Sequence, residues 1–277
     1  MEVLAVIRGR TRPAFTLVPF FSVRLLRLCL LGWVVSWLGF CVNLARLSAA
    51  EGEAQLRRAE DEYRTNRVRF LDDPANVKAA WNYARACFDL ADLVTDDAQR
   101  ETIAEQGIRA ARESLAHSSN SAEGHYYLAL NLGQLARTKA LGALKLVREM
   151  EREFKSAISL DETIDYAGPH RALGHLYRDA PGWPTSIGNK AKAHEELRHA
   201  VDLFPRYPGN RLLLAESFAK WGEKKFLRRE LDEIEAILPS ARKEFAGEAW
   251  AESWREWDKH LQKLQKRAET GTTKSGH

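Results

Sequence analysis

His194-Glu195-Glu196-Leu197-Arg198-His199 sets two histidines around two carboxylates, the ingredients of a metal-dependent hydrolase. The spacing argues against it. A zinc pair on a helix needs histidines four apart, whereas a separation of five places them about 140° apart around the axis. Leu197, between them, also reads as a core position. The chain carries no Gly-x-Ser-x-Gly, no phosphate-cradling glycine loop after a strand and no cysteine–histidine nucleophile arrangement. Two of the three cysteines, Cys29 and Cys41, fall in an apolar N-terminal run, and Cys87 lies in a helical pattern as a small core residue. No catalytic residue, metal site or cofactor is expected, and an enzyme is not the favoured class.

A second set suits binding better. Arg171, His175 and Arg178 stand at i, i+4 and i+7, so they share one helix face. Guanidinium groups grip carboxylate or phosphate bidentately, which makes such a stripe a candidate anion site. The competing reading is ion pairing with Asp179 or Glu216.

The elements that would position these residues are helices. After residue 50 the apolar pattern has helical period, with turn signals between amphipathic blocks. Self-similarity appears within it. Leu173-Gly174 precedes Tyr177, and Ala193, Leu197, Ala200 and Pro205 follow at relative positions 0, 4, 7 and 12. Leu214-Ala215 and Phe218 lead in the same way to Leu227, Leu231, Ile234 and Pro239, where a helix should stop. Weaker copies begin at Ala84 and Leu128. This pattern resembles the tetratricopeptide repeat over roughly residues 76–240. The expected fold is therefore all-α: a tetratricopeptide-type helix-turn-helix solenoid of about four modified repeats, with enlarged turns in the first three and a C-terminal capping helix. Residues 51–70 read as one preceding helix.

That resemblance implies a concave groove lined by the first helix of each pair. Its lining would be Asn82, Asp89 and Leu90; Tyr126, Gly133 and Gln134; Arg171, His175, Arg178 and Asp179; and Leu212, Glu216 and Lys220. Tyr126 and Tyr127 would supply an aromatic wall. Arg137, Lys139 and Trp183 would form the turn edge, with Trp183 packed against a neighbouring turn or roofing a cavity.

Residues 133–193 further resemble the T-component family of TRAP transporters, through the long turn around Arg137–Lys145 and the Arg-Asp-Ala-Pro-Gly-Trp-Pro turn at 178–184. The resemblance implies a periplasmic protein that works beside a solute-binding protein in importing hydrophobic or carboxylate ligands, and that encloses a pore-like cavity. A small organic anion would then be its ligand. The alternative is an envelope scaffold that binds a protein partner through the groove without transport.

Leu28–Ala45 is free of charge and follows five arginines, the layout of a secretory signal or signal anchor. Ser48-Ala49-Ala50 offers small residues for cleavage. The expected organisation is residues 1–50 as signal or membrane anchor, 51–240 as the solenoid, and 241–277 as a capping helix and polar tail. Export to the periplasm or envelope follows, with the membrane touched only through the N-terminal segment. Cys41 after Leu38-Gly39-Phe40 departs from a lipoprotein site because Phe40 is bulky. The formal charge of +4 is carried by residues 1–50, which hold six arginines against Glu2. The remainder is nearly neutral with both signs interspersed, which is not the footprint of a nucleic-acid binder. Trp250, Trp254, Trp257, Leu261 and Leu264 form an apolar stripe that either caps the last repeat or joins two copies of the chain.

Overall fold

A computed structural model of the chain describes residues 52–139 and 142–270. The apolar, arginine-flanked segment and the polar tail, with the readings placed on them, lie outside the described residues. Residues 56 onward form one unit; of the other, 1–55, only 52–55 are described, and they are helical.

The helices start where small polar residues can take an orphan N–H group. Asn76 accepts from Ala79 N at 3.0 Å, Asp96 from Gln99 N at 2.7 Å, Ser121 from Gly124 N at 3.0 Å and Asn189 from Lys192 N at 3.0 Å. After a first helix α1 (52–72), they open α2 (Val77–Leu93), α3 (Asp97–His117), α4 (Ala122–Thr138) and α7 (Lys190–Leu203). Between α4 and α7 stand α5 (Ala143–Leu160) and α6 (Ile164–Asp179). Then α8 (Pro208–Trp221) begins with proline in its first turn and ends at Gly222 in the left-handed region, φ 75°. The chain continues through α9 (Lys224–Glu244), a 3₁₀ turn (Glu248–Trp250) and α10 (Ala251–Thr270).

Consecutive helices pack as the pairs α2/α3, α4/α5, α6/α7 and α8/α9, giving the four repeats expected from the spacing. Close approach explains the small residues. At Gly174 a Cβ would lie 2.7 Å from Leu197 Cγ and 3.2 Å from the Ala193 carbonyl, so glycine is what lets α6 meet α7 there. Leu197, Ala193 and Ala200 are wholly buried, as is Cys87.

Two turn expectations are corrected. The extra residues of the first two repeats mostly lengthen helices: only 94–96 separate α2 from α3, and only 139–142 separate α4 from α5. The breaks are confined to those few residues, the second closing on Gly142 in the left-handed region, φ 87°, which caps α5. Only the third repeat has a long joint, residues 180–189. Nor does Pro239 stop its helix; α9 runs through it to Glu244.

The helix α10 lies against α8 and α9, with Leu261 and Leu264 buried, as a cap would. Trp250 sits on the preceding 3₁₀ turn rather than on that helix. Trp250, Phe245 and Tyr207 crowd around Tyr166, whose ring stacks on Tyr207 at 4.6 Å, and Trp257 packs edge-on against Tyr207 and Phe245. The aromatic stripe is thereby turned largely inward.

Candidate binding groove

The groove is built around an irregularity. At the start of α6, Asp165, Tyr166 and Ala167 all have left-handed backbone angles, with φ of 49°, 55° and 62°. Three successive residues with a Cβ in that region form a strained left-handed turn. Their surroundings over-determine them. Arg171, one right-handed turn further on, donates to the Asp165 and Tyr166 carbonyls, each at 3.2 Å, and to the Asp165 carboxylate at 2.9 Å. Buried Asn210 of α8 donates to the Tyr166 carbonyl at 3.0 Å and accepts from Arg171 at 2.8 Å. Pro169 then begins the right-handed stretch, where its missing N–H costs nothing.

Asp165 is thereby delivered to the inner wall, where it accepts the Tyr126 hydroxyl at 3.0 Å. Gly168 makes the approach feasible, since a Cβ there would lie 2.4 Å from that hydroxyl. Burial, and then the Asp165 carboxylate, push the Tyr126 phenol well above its ordinary range.

From this point a cavity of about 640 Å³ opens between α2, α4, α5 and α6. Its apolar floor includes Phe88, Leu130, Val147, Met150 and Leu176. Its polar wall includes Asp92, Gln134, Arg137, Asp165, Arg171 and Asp179. The cations at this wall already have partners. Arg137 is 2.8 Å from Asp92, and Arg171 pairs with Asp165. Arg178, just behind the wall, is only 3 % exposed and lies 2.6 Å from Asp179 and 3.3 Å from Glu216. Asp179 also meets Lys220 at 2.8 Å and His175 at 3.3 Å. The Arg137–Asp92, Arg178–Glu216 and Lys220–Asp179 pairs link neighbouring repeats, and His260 of α10 lies 3.6 Å from Glu216.

Burial alone would raise Asp179; hydrogen bonds from Arg178 and Lys220 outweigh it and hold the carboxyl well below the usual range. His175 has a half-exposed side chain, and its enclosure by protein, then the neighbouring Arg178 charge, push its imidazole below the ordinary range. Deeper along α2, Asp89 keeps a half-exposed side chain, 3.7 Å from Arg85, within the concave wall. Its enclosure by protein, reinforced by Asp165 and Asp92, raises it to about 6.

Of the residues expected in the groove or at its edge, the cavity gathers Tyr126, Gly133, Gln134, Arg137, Arg171, His175 and Asp179. Arg178 and Glu216 support that wall as a pair. Others are elsewhere. Asn82 bonds to the Lys78 carbonyl of its own helix, and Tyr127 is buried against Trp81, with rings 6.0 Å apart. Lys139 turns outward to Glu101 of α3. Trp183 is 89 % exposed, so it neither plugs a turn nor roofs the cavity; cavity contact at that joint comes from Ala180 and Pro181. Leu90 and Leu212, expected in the groove, are core residues. Asp92, Asp165 and the α5 residue Val147 join the site without any signal in the repeat pattern, and Met150, a repeat position of the second unit, was not expected in the groove. The left-handed turn leaves no glycine signature that would flag it.

Comparison with known proteins agrees on architecture. The sequence profile of the family described as "Regulator of microtubule dynamics protein 1-3" matches residues 45–174, less than half of the chain. No curated protein matches. Among solved structures, the thermophilic tetratricopeptide protein TTC0263 of Thermus thermophilus aligns over 77 % of this chain and 98 % of its own, with 17 % identity and a TM-score of 0.53. MamA aligns over 70 % and 95 % respectively, with 16 % identity and a TM-score of 0.44. The chain is a tetratricopeptide-type α-solenoid.

Proposed function

We propose that the chain is a non-catalytic binding protein whose inner cavity holds a small amphipathic organic molecule. The observation that carries this reading is the pairing of an apolar floor (Phe88, Leu130, Val147, Met150) with one polar wall inside a single cavity of about 640 Å³. Ligand pockets have this volume range and this division between apolar lining and a few convergent polar groups. The apolar body would lie on the floor, and a carboxylate end would meet Arg171, or a hydrogen-bond donor would meet Asp179. Because the arginines already hold carboxylates, the polar end must exchange with an existing partner rather than fill an open charge.

An accessory role in solute import, beside a periplasmic solute-binding protein, is the finer form of this reading. It is supported by the 133–193 resemblance and by the export-like layout of Leu28–Ala45. No helix among the described residues is long and apolar enough to cross a membrane. A second reading, a scaffold that seats a partner protein's segment in the same groove, is supported by the fold and by the match to a family described as regulating microtubule dynamics.

Mass spectrometry of small molecules extracted from the purified chain separates the two. The first reading expects a stoichiometric amphipathic compound that is lost when Val147→Trp fills the cavity while helicity is retained. Empty preparations together with a stably co-purifying protein would replace it with the second.

A further inference from the structure

On the opposite side of α6 from the cavity wall, three side chains from three segments converge. Glu162, in the α5–α6 joint, brings Oε2 to 3.2 Å from His199 Nε2 and 3.4 Å from His170 Nε2. The three candidate ligand atoms all lie within 4.8 Å of one another. The two rings face each other with centroids 4.4 Å apart. Behind them, His170 Nδ1 is 2.7 Å from Glu196 Oε2.

The hydrogen-bond geometry of His170 makes this more than a polar cluster. A neutral imidazole has one N–H and one lone pair. Both nitrogens of His170 face carboxylate oxygens, which only accept. If Nδ1–H donates to Glu196, the Nε2 lone pair points at the Glu162 carboxylate, acceptor against acceptor, in a residue only 6 % exposed. That opposition is relieved by a second proton or by a cation between the two atoms. The site has what a metal cation requires. A tetrahedral zinc with ligands at about 2.0–2.1 Å has ligand–ligand edges of about 3.3 Å, which the two Glu162 distances already match. The half-exposed His199 can close the third edge by rotating its side chain. Two imidazoles select a borderline ion over calcium or magnesium, and a carboxylate behind a ligating histidine is the usual outer support of such sites.

We infer that Glu162, His170 and His199 bind one zinc ion, with Glu196 fixing His170 and solvent filling the fourth position. The ion ties the joint just before the left-handed turn to α7.

The test uses the full chain without a histidine tag, stripped with a chelator and titrated with zinc against a competing chromophoric chelator. Bound metal is counted by elemental analysis. One zinc per chain is expected, with affinity falling at least tenfold in His199→Ala and Glu162→Gln and about 10–100-fold in Glu196→Gln. His194→Ala should match the parent. Zinc should raise the melting midpoint of the parent but not of His199→Ala, whose side chain is exposed enough to remove without unfolding. Absence of stoichiometric zinc in the parent would overturn the site. So would equal affinity in His199→Ala, or an imidazolium at His170 that persists unchanged by ¹⁵N NMR when zinc is added.

Discussion

The Arg171 guanidinium lies 2.9 Å from the carboxylate of Asp165, six residues earlier, and also binds the carbonyls of Asp165 and Tyr166. One side chain thus supplies a counter-charge and holds three residues in a left-handed turn. Removing it leaves strain without its restraint and a carboxylate without its partner. Arg171→Ala is expected to destabilise the chain by about 2–4 kcal/mol in urea unfolding. Ala167→Gly, at φ 62° in the same turn, should be neutral or stabilising by up to about 1 kcal/mol, because glycine takes that region without steric cost. A loss of more than about 1 kcal/mol in Ala167→Gly would show that the turn is not strained.

Asp89 gives the groove a pH signature. Its folded-state pKa, raised to about 6, exceeds that of the unfolded chain, so folding favours the protonated acid. That contribution is present below about pH 4 and is withdrawn as pH rises through about 6. Asp89→Asn removes the cost of the charged form. Its stability relative to the parent should be better at about pH 7.5 than at about pH 4, by roughly 1 kcal/mol once water access to the half-exposed side chain is allowed for. A difference independent of pH would mean that the carboxyl is not perturbed.

Gly174 and Leu197 should behave as one packing unit. Gly174→Ala forces a methyl to within 2.7 Å of Leu197 Cγ, with the Ala193 carbonyl on the other side, and should cost about 1–3 kcal/mol. Leu197→Ala should cost about 2–5 kcal/mol through the cavity it opens. In the double mutant the penalties should fall short of their sum, because the smaller residue makes room for the new methyl. Strict additivity in denaturation would place the two residues out of contact.

At the long joint the contrast is between a large exposed residue and a small enclosed one. Trp183→Ala should change stability by less than about 0.5 kcal/mol and remove a solvent-quenchable, red-shifted component of the fluorescence. Gly188→Ala would set a Cβ 2.1 Å from the Ala180 carbonyl and should disorder the joint, read as faster proteolysis between α6 and α7.

The repeats were legible because their evidence is local and redundant. Ala193, Leu197, Ala200 and Pro205 report one helix face and its end, and the pattern recurs downstream. Turn lengths were harder to read, since the extra residues after Phe88 and Leu132 go mostly into longer helices and only a few residues, Gly142 among them, form the turns. The groove was half legible. Arg171, His175 and Arg178 do share a face, and Asp179 and Glu216, the competing partners visible in the sequence, do pair with Arg178, but Asp165 reaches the wall only through a turn of opposite hand. The histidines show the same limit. His194 and His199 diverge, His194 toward Phe218 and His199 toward His170, and only the packing of α6 on α7 brings His170 within reach.

The ion pairs of Asp92 with Arg137, Asp165 with Arg171, and Glu216 with Arg178 bear on kinetics as well as on shape. Charges that cancel within a few ångströms project little field beyond a Debye length, so a charged ligand is not drawn in from a distance. Capture should proceed at an ordinary, unsteered rate that barely changes with ionic strength, and selectivity among ligands should then appear in how long each one stays.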